Sequence, residues 1–276
     1  MLPSVRVALG QSLLNLGRPR GMDSVTMPAN RFLASLSADD FEAIRPHLRT
    51  VQLSQDHLLV KVGEAIKHVY LPHSGVVSRV VELETGDRVE VGMVGRDSIL
   101  GGLGALGEPV ALTSAVVLLP GTASVLDTDR LRAAAERSNA LRTTIARHGQ
   151  ALVVQAQQTA ACNALHAVEA RLARWLVRVR DLVGSDQFTL TQEMMAQMIG
   201  ARRNSVSIVA HMLQQVNYIR YARGHIEIID LDGLTKTACE CYAAVRTRYE
   251  RLTNSDSDKV DGAKGDSHGE ASQEHV

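Results

Sequence analysis

Several common protein classes are excluded by what this chain lacks. No apolar run among its 276 residues reaches the roughly 18 needed to cross a bilayer. The N-terminal stretch is broken by Gly10, Asn15 and Gly17 and has neither the charged start nor the cleavage site of a signal peptide. Residues 1–27 are therefore expected to form a flexible arm. Aromatics make up only 3%, so aliphatic side chains must build the cores. The three cysteines, Cys162, Cys239 and Cys241, form neither an even disulfide framework nor a C-x-x-C pair, which fits reduced cytoplasmic thiols. Phosphate-binding P-loops, G-x-S-x-G elbows and H-E-x-x-H helices are all missing, and no nucleophile–base pair stands out. No enzyme, cofactor or metal site is expected. There is no excess charge either: 30 basic residues balance 30 acidic ones, so any preference for nucleic acid must come from their distribution.

What remains is a hydrophobic content of 45% with 22% charged residues, enough for two domains with separate cores. In the segment 28–50, Ser37 is placed to cap a helix with Asp39 and Asp40 in its first turn, and Pro46 to end it. From about 51 to 126 the period shortens to β-branched segments punctuated by Gly63, Gly75, Gly86, Gly95 and Gly121, with ETGDR as a hairpin turn. Such spacing predicts a sandwich or jelly-roll barrel over 28–127.

Residues 128–183 hold no proline and only Gly149, which predicts long helices, with Asp127 or Thr128 as the first cap. Leu141, Ile145, Leu152 and Thr159 fall near heptad spacing and are expected to pair with a second copy, part of the helix packing on its own barrel. Cys162 and His166 are an i, i+4 pair; two ligands are too few for a metal unless two protomers share it. Cys239 and Cys241, read as i, i+2 on one helix, fall on different faces, so packing is expected of both. The segment 253–276 carries six acids against two lysines and is expected to be disordered.

The stretch GARRNSVSIVAHMLQQ raises a sharper question. Thr191 is placed to cap a helix that Gly200 ends, and a second helix follows with Val206, Val209, Ala210 and Leu213 at helical spacing. Two short strands then flank Arg223-Gly224. Helix, glycine turn, helix and hairpin over 184–252 make a winged helix-turn-helix. Arginine at the positive end of a helix is locally unfavourable by a few tenths of a kcal/mol. Arg202 and Arg203 at that end, with Asn204, Ser205 and Ser207, instead suit base edges and phosphates. Thr191, Gln192 and Arg223 complete the candidate DNA contacts.

This order of parts resembles the Crp/Fnr superfamily of bacterial transcription regulators over roughly 28–252. LTQEMMAQMIGARRNSVSIVAHMLQQVNYI is similar to that family's DNA-binding signature, RGHIEIID to its wing, and GLTKTACECYAAVRTRYERL to a recurrent ending in one subgroup. The resemblance implies an α+β fold: an N-terminal β jelly-roll barrel of cyclic-nucleotide-binding type, a long dimerisation helix and a C-terminal winged helix-turn-helix. It implies a homodimer bound to double-stranded DNA, with RNA polymerase as a further partner and no membrane. The family's phosphate cassette matches GGLGALGEPVALTSAV, with Gly102 in place of its ribose-binding Glu and Thr113 in place of its phosphate-binding Arg. Losing that charged partner removes a contact of about 1.5–3 kcal/mol, so cAMP is not the expected effector. Gly101, Gly102, Leu103, Gly104, Thr113 and Ser114 line the expected effector pocket. The iron–sulfur branch uses N-terminal cysteines, which are missing here. His47, His57, His68, His73 and His148 are available to haem, though each reads as a surface or packed residue. The alternatives are a regulator that does respond to cAMP or another nucleotide, and a ligand-binding or protein-interaction module that does not bind DNA.

Overall fold

The computed structural model describes residues 30–253, so the arm 1–27 and the acidic segment beyond Thr253 lie outside it. Two short helices open the described chain, α1 (Arg31–Ala34) and α2 (Ala38–Ile44). Ser37 Oγ accepts from the Asp40 amide, and Pro46 lies in the 3-10 turn that follows α2. Seven strands follow: β1 (Arg49–Leu53), β2 (Leu58–Val60), β3 (His68–Pro72), β4 (Val76–Glu82), β5 (Arg88–Val94), β6 (Ser114–Leu119) and β7 (Gly121–Asp127). They form two antiparallel sheets ordered β1-β7-β3 and β2-β6-β4-β5. The β4–β5 hairpin turns at Gly86, whose φ of 85° a side chain would resist. Leu53 and Ala123 of one sheet meet Val77, Val94, Ala115 and Val117 of the other in a shared core.

Three helices leave the barrel: α3 (Thr128–Arg137), α4 (Asn139–Leu165) and α5 (Val168–Val183). Ser138 caps α4 on the Leu141 amide, and His166 and Ala167 separate α4 from α5. The expected pairing stripe is corrected here. Leu141, Ile145 and Leu152 are buried in their own protomer against barrel residues, and Thr159 is half-buried. Bulky side chains go where several elements can surround them. What α4 leaves outward is a second heptad stripe of small and polar residues, Ala146, Gln150, Val153, Gln157, Ala160 and Ala164, with Val153 exposed.

Past Gly184, which ends α5 in the left-handed conformation, come β8 (Gln187–Thr189), α6 (Gln192–Met198), α7 (Arg203–Gln215), β9 (Ile219–Ala222) and β10 (His225–Ile228). The strands form a sheet ordered β8-β10-β9; β8, too short to show a period, was not expected from the sequence. Then α8 (Leu231–Thr237) and α9 (Cys241–Thr253) close the described chain. Although grouped with the winged helix on sequence, α9 turns back along α4, and Tyr249 donates to the Asp97 carbonyl at the barrel edge. One apolar cluster spans both halves: Val76, Val80, Met93, Leu118 and Leu119 of the barrel join Leu172, Trp175, Leu176, Met195, Met198, Val206 and Leu213.

Candidate nucleic-acid interface and effector cavity

Local chemistry builds the two crossed helices. Thr191 Oγ1 accepts from the Met194 amide and starts α6. Gly200, at φ 59°, makes the turn, and the Ala201 amide returns to the Ala196 carbonyl. Arg171 of α5 donates to the Ile199 and Gly200 carbonyls, so a buried cation satisfies groups the turn would otherwise orphan. Val206, Val209, Ala210 and Leu213 bury one face of α7.

The opposite, N-terminal edge is polar and open. Arg202, the N-cap, makes no capping bond. Arg202, Arg203 and Asn204 are exposed and Ser205 is half-buried. Among the described residues, the side chains of Arg202, Asn204, Ser205 and Arg223 make no hydrogen bond or ion pair, and Arg203 meets only Glu193 at 3.9 Å. Arg223 occupies the tip of the β9–β10 hairpin with φ 51°, while Arg220 on the same hairpin is already paired with Glu227. Three of the candidate contacts are also engaged within the motif. Ser207 Oγ donates to Gln192 Oε1 at 2.5 Å, so this pair buttresses α6 against α7, and Thr191 is engaged as a cap.

Within the barrel, an apolar cavity of about 1040 Å³, counted out to open solvent, is bounded by Gly101, Gly102, Leu103, Gly104 and Thr113. Ser114 does not border it, because its Oγ is turned to accept from the Val62 amide. A Cβ on Gly102 would come within 3.1 Å of Ile99 Cδ1 and 3.3 Å of Ile145 Cγ2, so a family-type Glu would need both side chains to give way by a few tenths of an ångström. The cavity's cation is one the sequence did not single out. Arg79 of β4 lines it beside Tyr70 and His68, at a bulge in the β4–β5 pairing. Bulges re-aim side chains, and strand alternation alone gave no sign of this one. Arg79 has no hydrogen bond or ion pair among the described residues, and burial holds its pKa below the usual value. Ile145, Gly149 and Leu152 bring α4 into the cavity wall. There α4 lies so close that a Cβ on Gly149 would be 2.5 Å from Leu103 Cδ2.

Other sequence candidates end up elsewhere. His148 is buried, with Nδ1 3.1 Å from Ser98 Oγ and its ring edge-on to Phe32, and burial lowers its pKa to about 4. His73 is bonded to Ser124 and His68 to Asp127. The cysteines are buried together, but not with the helical placement expected of Cys239 and Cys241. Cys239 lies in the link between α8 and α9, not on a helix, so it and Cys241 turn to the same point. Cys162 of α4 and His166, its C-cap, meet them there within a single protomer.

These parts define a β-barrel joined through a long helix to a winged helix-turn-helix. Comparison with known families agrees: residues 50–138 match the cyclic nucleotide-binding domain, and residues 170–237 the Crp-like helix-turn-helix domain, together more than half of the chain. Solved structures share the fold. FixK2 of Bradyrhizobium japonicum is 15% identical with a TM-score of 0.60, covering 70% of this chain and 98% of its own. The cyclic di-GMP-responsive regulator CLP of Xanthomonas campestris is 17% identical at 0.57, covering 70% and 99%. A Crp/Fnr-family regulator from Eubacterium rectale is 13% identical at 0.58, covering 80% and 96%. No curated protein sequence matches. The chain belongs to the Crp/Fnr superfamily of transcription regulators, with a cyclic-nucleotide-binding-type domain and a DNA-binding helix-turn-helix domain.

Proposed function

We propose that the chain works in the cytoplasm as a homodimer that reads a specific DNA sequence and answers an effector other than cAMP, by binding and not by catalysis. The observation that carries this reading is the exposed basic edge of α7, where Arg202 has no partner and Arg203 meets only Glu193 at 3.9 Å. Arg202, Arg203, Asn204 and Ser205 stand where the second helix of such a motif enters the major groove, and Arg223 stands on the wing beside it. Gln192 and Ser207 set the pose of the two helices, Thr191 starts the first of them, and all three are polar groups suited to phosphate contact. The stripe Ala146, Gln150, Val153, Gln157, Ala160 and Ala164 suits close pairing of two α4 helices, because small side chains let backbones approach. RNA polymerase is the further partner such a regulator would engage.

For the effector, the barrel cavity supports a small molecule with an acidic group at the Arg79 end, away from the exposed carboxylate of Glu108, which also lines it. Arg79 is its unpaired cation, and Gly101, Gly102, Leu103, Gly104 and Thr113 form the wall. Because α4 closes the same cavity, a ligand there touches the dimer helix directly, which biases the separation of the two α7 helices on DNA. Mobility shifts of genomic fragments over a salt titration test the DNA reading: sequence-specific, salt-sensitive binding is expected. Purified dimer that shifts no fragment specifically at low salt would favour a protein-interaction module instead. A thermal-shift panel of cAMP, cyclic di-GMP and small organic acids, with Arg79→Gln as control, tests the cavity. A strong shift with cAMP would overturn the effector reading.

A further inference from the structure

We propose that Cys162, His166, Cys239 and Cys241 form a tetrahedral zinc site that fastens the end of α4 to the α8–α9 link. Their ligand atoms all lie within 4.8 Å of one another. The Cys162 and Cys239 sulfurs are 3.5 Å apart, and Cys241 Sγ is 3.6 Å from His166 Nδ1. Zinc bonds of about 2.3 Å to sulfur and about 2.0–2.1 Å to nitrogen set tetrahedral edges of roughly 3.8 Å and 3.6 Å. The observed separations fit ligands of one metal ion. An iron–sulfur cluster would hold its cysteines further apart, since bridging sulfides must fit between them.

Local structure explains why the four converge. Cys162 and His166 are one turn apart at the C-terminal end of α4, and His166 leaves the helix as its C-cap with extended backbone. Ala238 ends α8 in an extended conformation and Cys241 begins α9, so Cys239 and Cys241 flank a turn with both thiols on its inner side. Cysteine alone is often only a small buried apolar residue. Outer contacts separate this cluster from that ordinary case. His166 presents Nδ1 to the cysteines while Nε2 lies 3.1 Å from Glu240 Oε1, the carboxylate–histidine arrangement that orients a metal-bound imidazole. Gln158 Nε2 donates to Cys241 Sγ at 3.1 Å. Arg171 and Arg174 lie near enough to offset the negative charge of three thiolates around one divalent ion. Four protein ligands complete a tetrahedral shell, which leaves no open position for a substrate and makes the site a structural one.

The site sits at the joint where the chain leaves the long helix for the DNA-binding half. Its test is a titration of full-length, reduced, chelator-stripped protein with cobalt(II). One equivalent per chain should bind with the thiolate charge-transfer band and the ligand-field bands of a tetrahedral site of three sulfurs and one nitrogen. Zinc should displace the cobalt one for one and raise Tm. Glu240→Gln, at an exposed position that leaves folding intact, should weaken cobalt binding about tenfold to a hundredfold. Cys239→Ser/Cys241→Ser should abolish the spectrum. No cobalt uptake by fully reduced wild-type protein overturns the proposal, as does a spectrum that survives the double substitution. A Cys162–Cys239 disulfide in air, without metal uptake once reduced, would overturn it in favour of a redox pair.

Discussion

Trp175 Nε1 donates to Glu90 Oε1 at 3.0 Å, joining the helix that enters the DNA-binding half to strand β5 of the barrel. Glu90 is buried, also accepts from Ser78, and is pushed by burial up to about 7. Its native pKa lies above the usual 4.5, so the folded state holds the extra proton between those values. The stability this contributes is complete below about 4.5 and is lost as pH rises through about 7. Glu90→Gln should therefore gain stability relative to wild type as pH rises, by an amount on the order of a few kcal/mol. His148 works in the opposite direction, losing stability as pH falls from 6.5 towards about 4, and it is common to both proteins. Thermal melts of both proteins at intervals from about pH 5 to about pH 8 give the difference; a constant gap would show that Glu90 titrates normally.

Arg203 tests the DNA-reading edge. Its only ion pair, with Glu193, is exposed and contributes little to folding. Arg203→Ala should leave Tm nearly unchanged while weakening specific binding by about 1–3 kcal/mol and relaxing preference at one base pair. Fluorescence anisotropy on specific and scrambled duplexes separates the two effects, and full retention of specificity would remove Arg203 from the contact set.

Val153 tests the outward stripe of α4. A charge there would meet its own copy across a two-fold axis, so Val153→Glu should weaken dimerisation at least tenfold, about 1.4 kcal/mol. Sedimentation equilibrium reads this directly. Leu152→Glu is the contrast, since Leu152 lies in the barrel core, and should unfold the protomer instead.

Gly102 tests the effector cavity. Restoring the family's acidic residue with Gly102→Glu should cost about 1–3 kcal/mol through overpacking on Ile99 and Ile145. It should not create a cAMP-dependent thermal shift. A stable variant that gains such a shift would mean the wall can open where it is now closed.

How far these features were legible depended on how local their causes are. The Thr191 cap, the left-handed Gly200 and the four apolar positions of α7 lie within about two dozen residues, and each is set by short-range geometry. Heptad spacing could not choose between two stripes on the same helix, because periodicity does not say which one neighbouring elements cover. Arg79 was hidden by a bulge that breaks strand alternation. The cysteine cluster was hidden by distance, since Cys162 and Cys239 meet across 77 positions, and by assigning both cysteines of the C-x-C pair to a single helix.

The apolar cluster that runs from Val76 and Met93 to Met195 and Leu213 limits how this regulator can be dismantled. A DNA reader excised at residue 184 would carry Met195 and Met198 to the surface with their barrel partners missing. Portability is then a property of the pair and not of the winged helix: a chimera that grafts this reader onto another sensor needs the outer face of β4 and β5 transplanted with it.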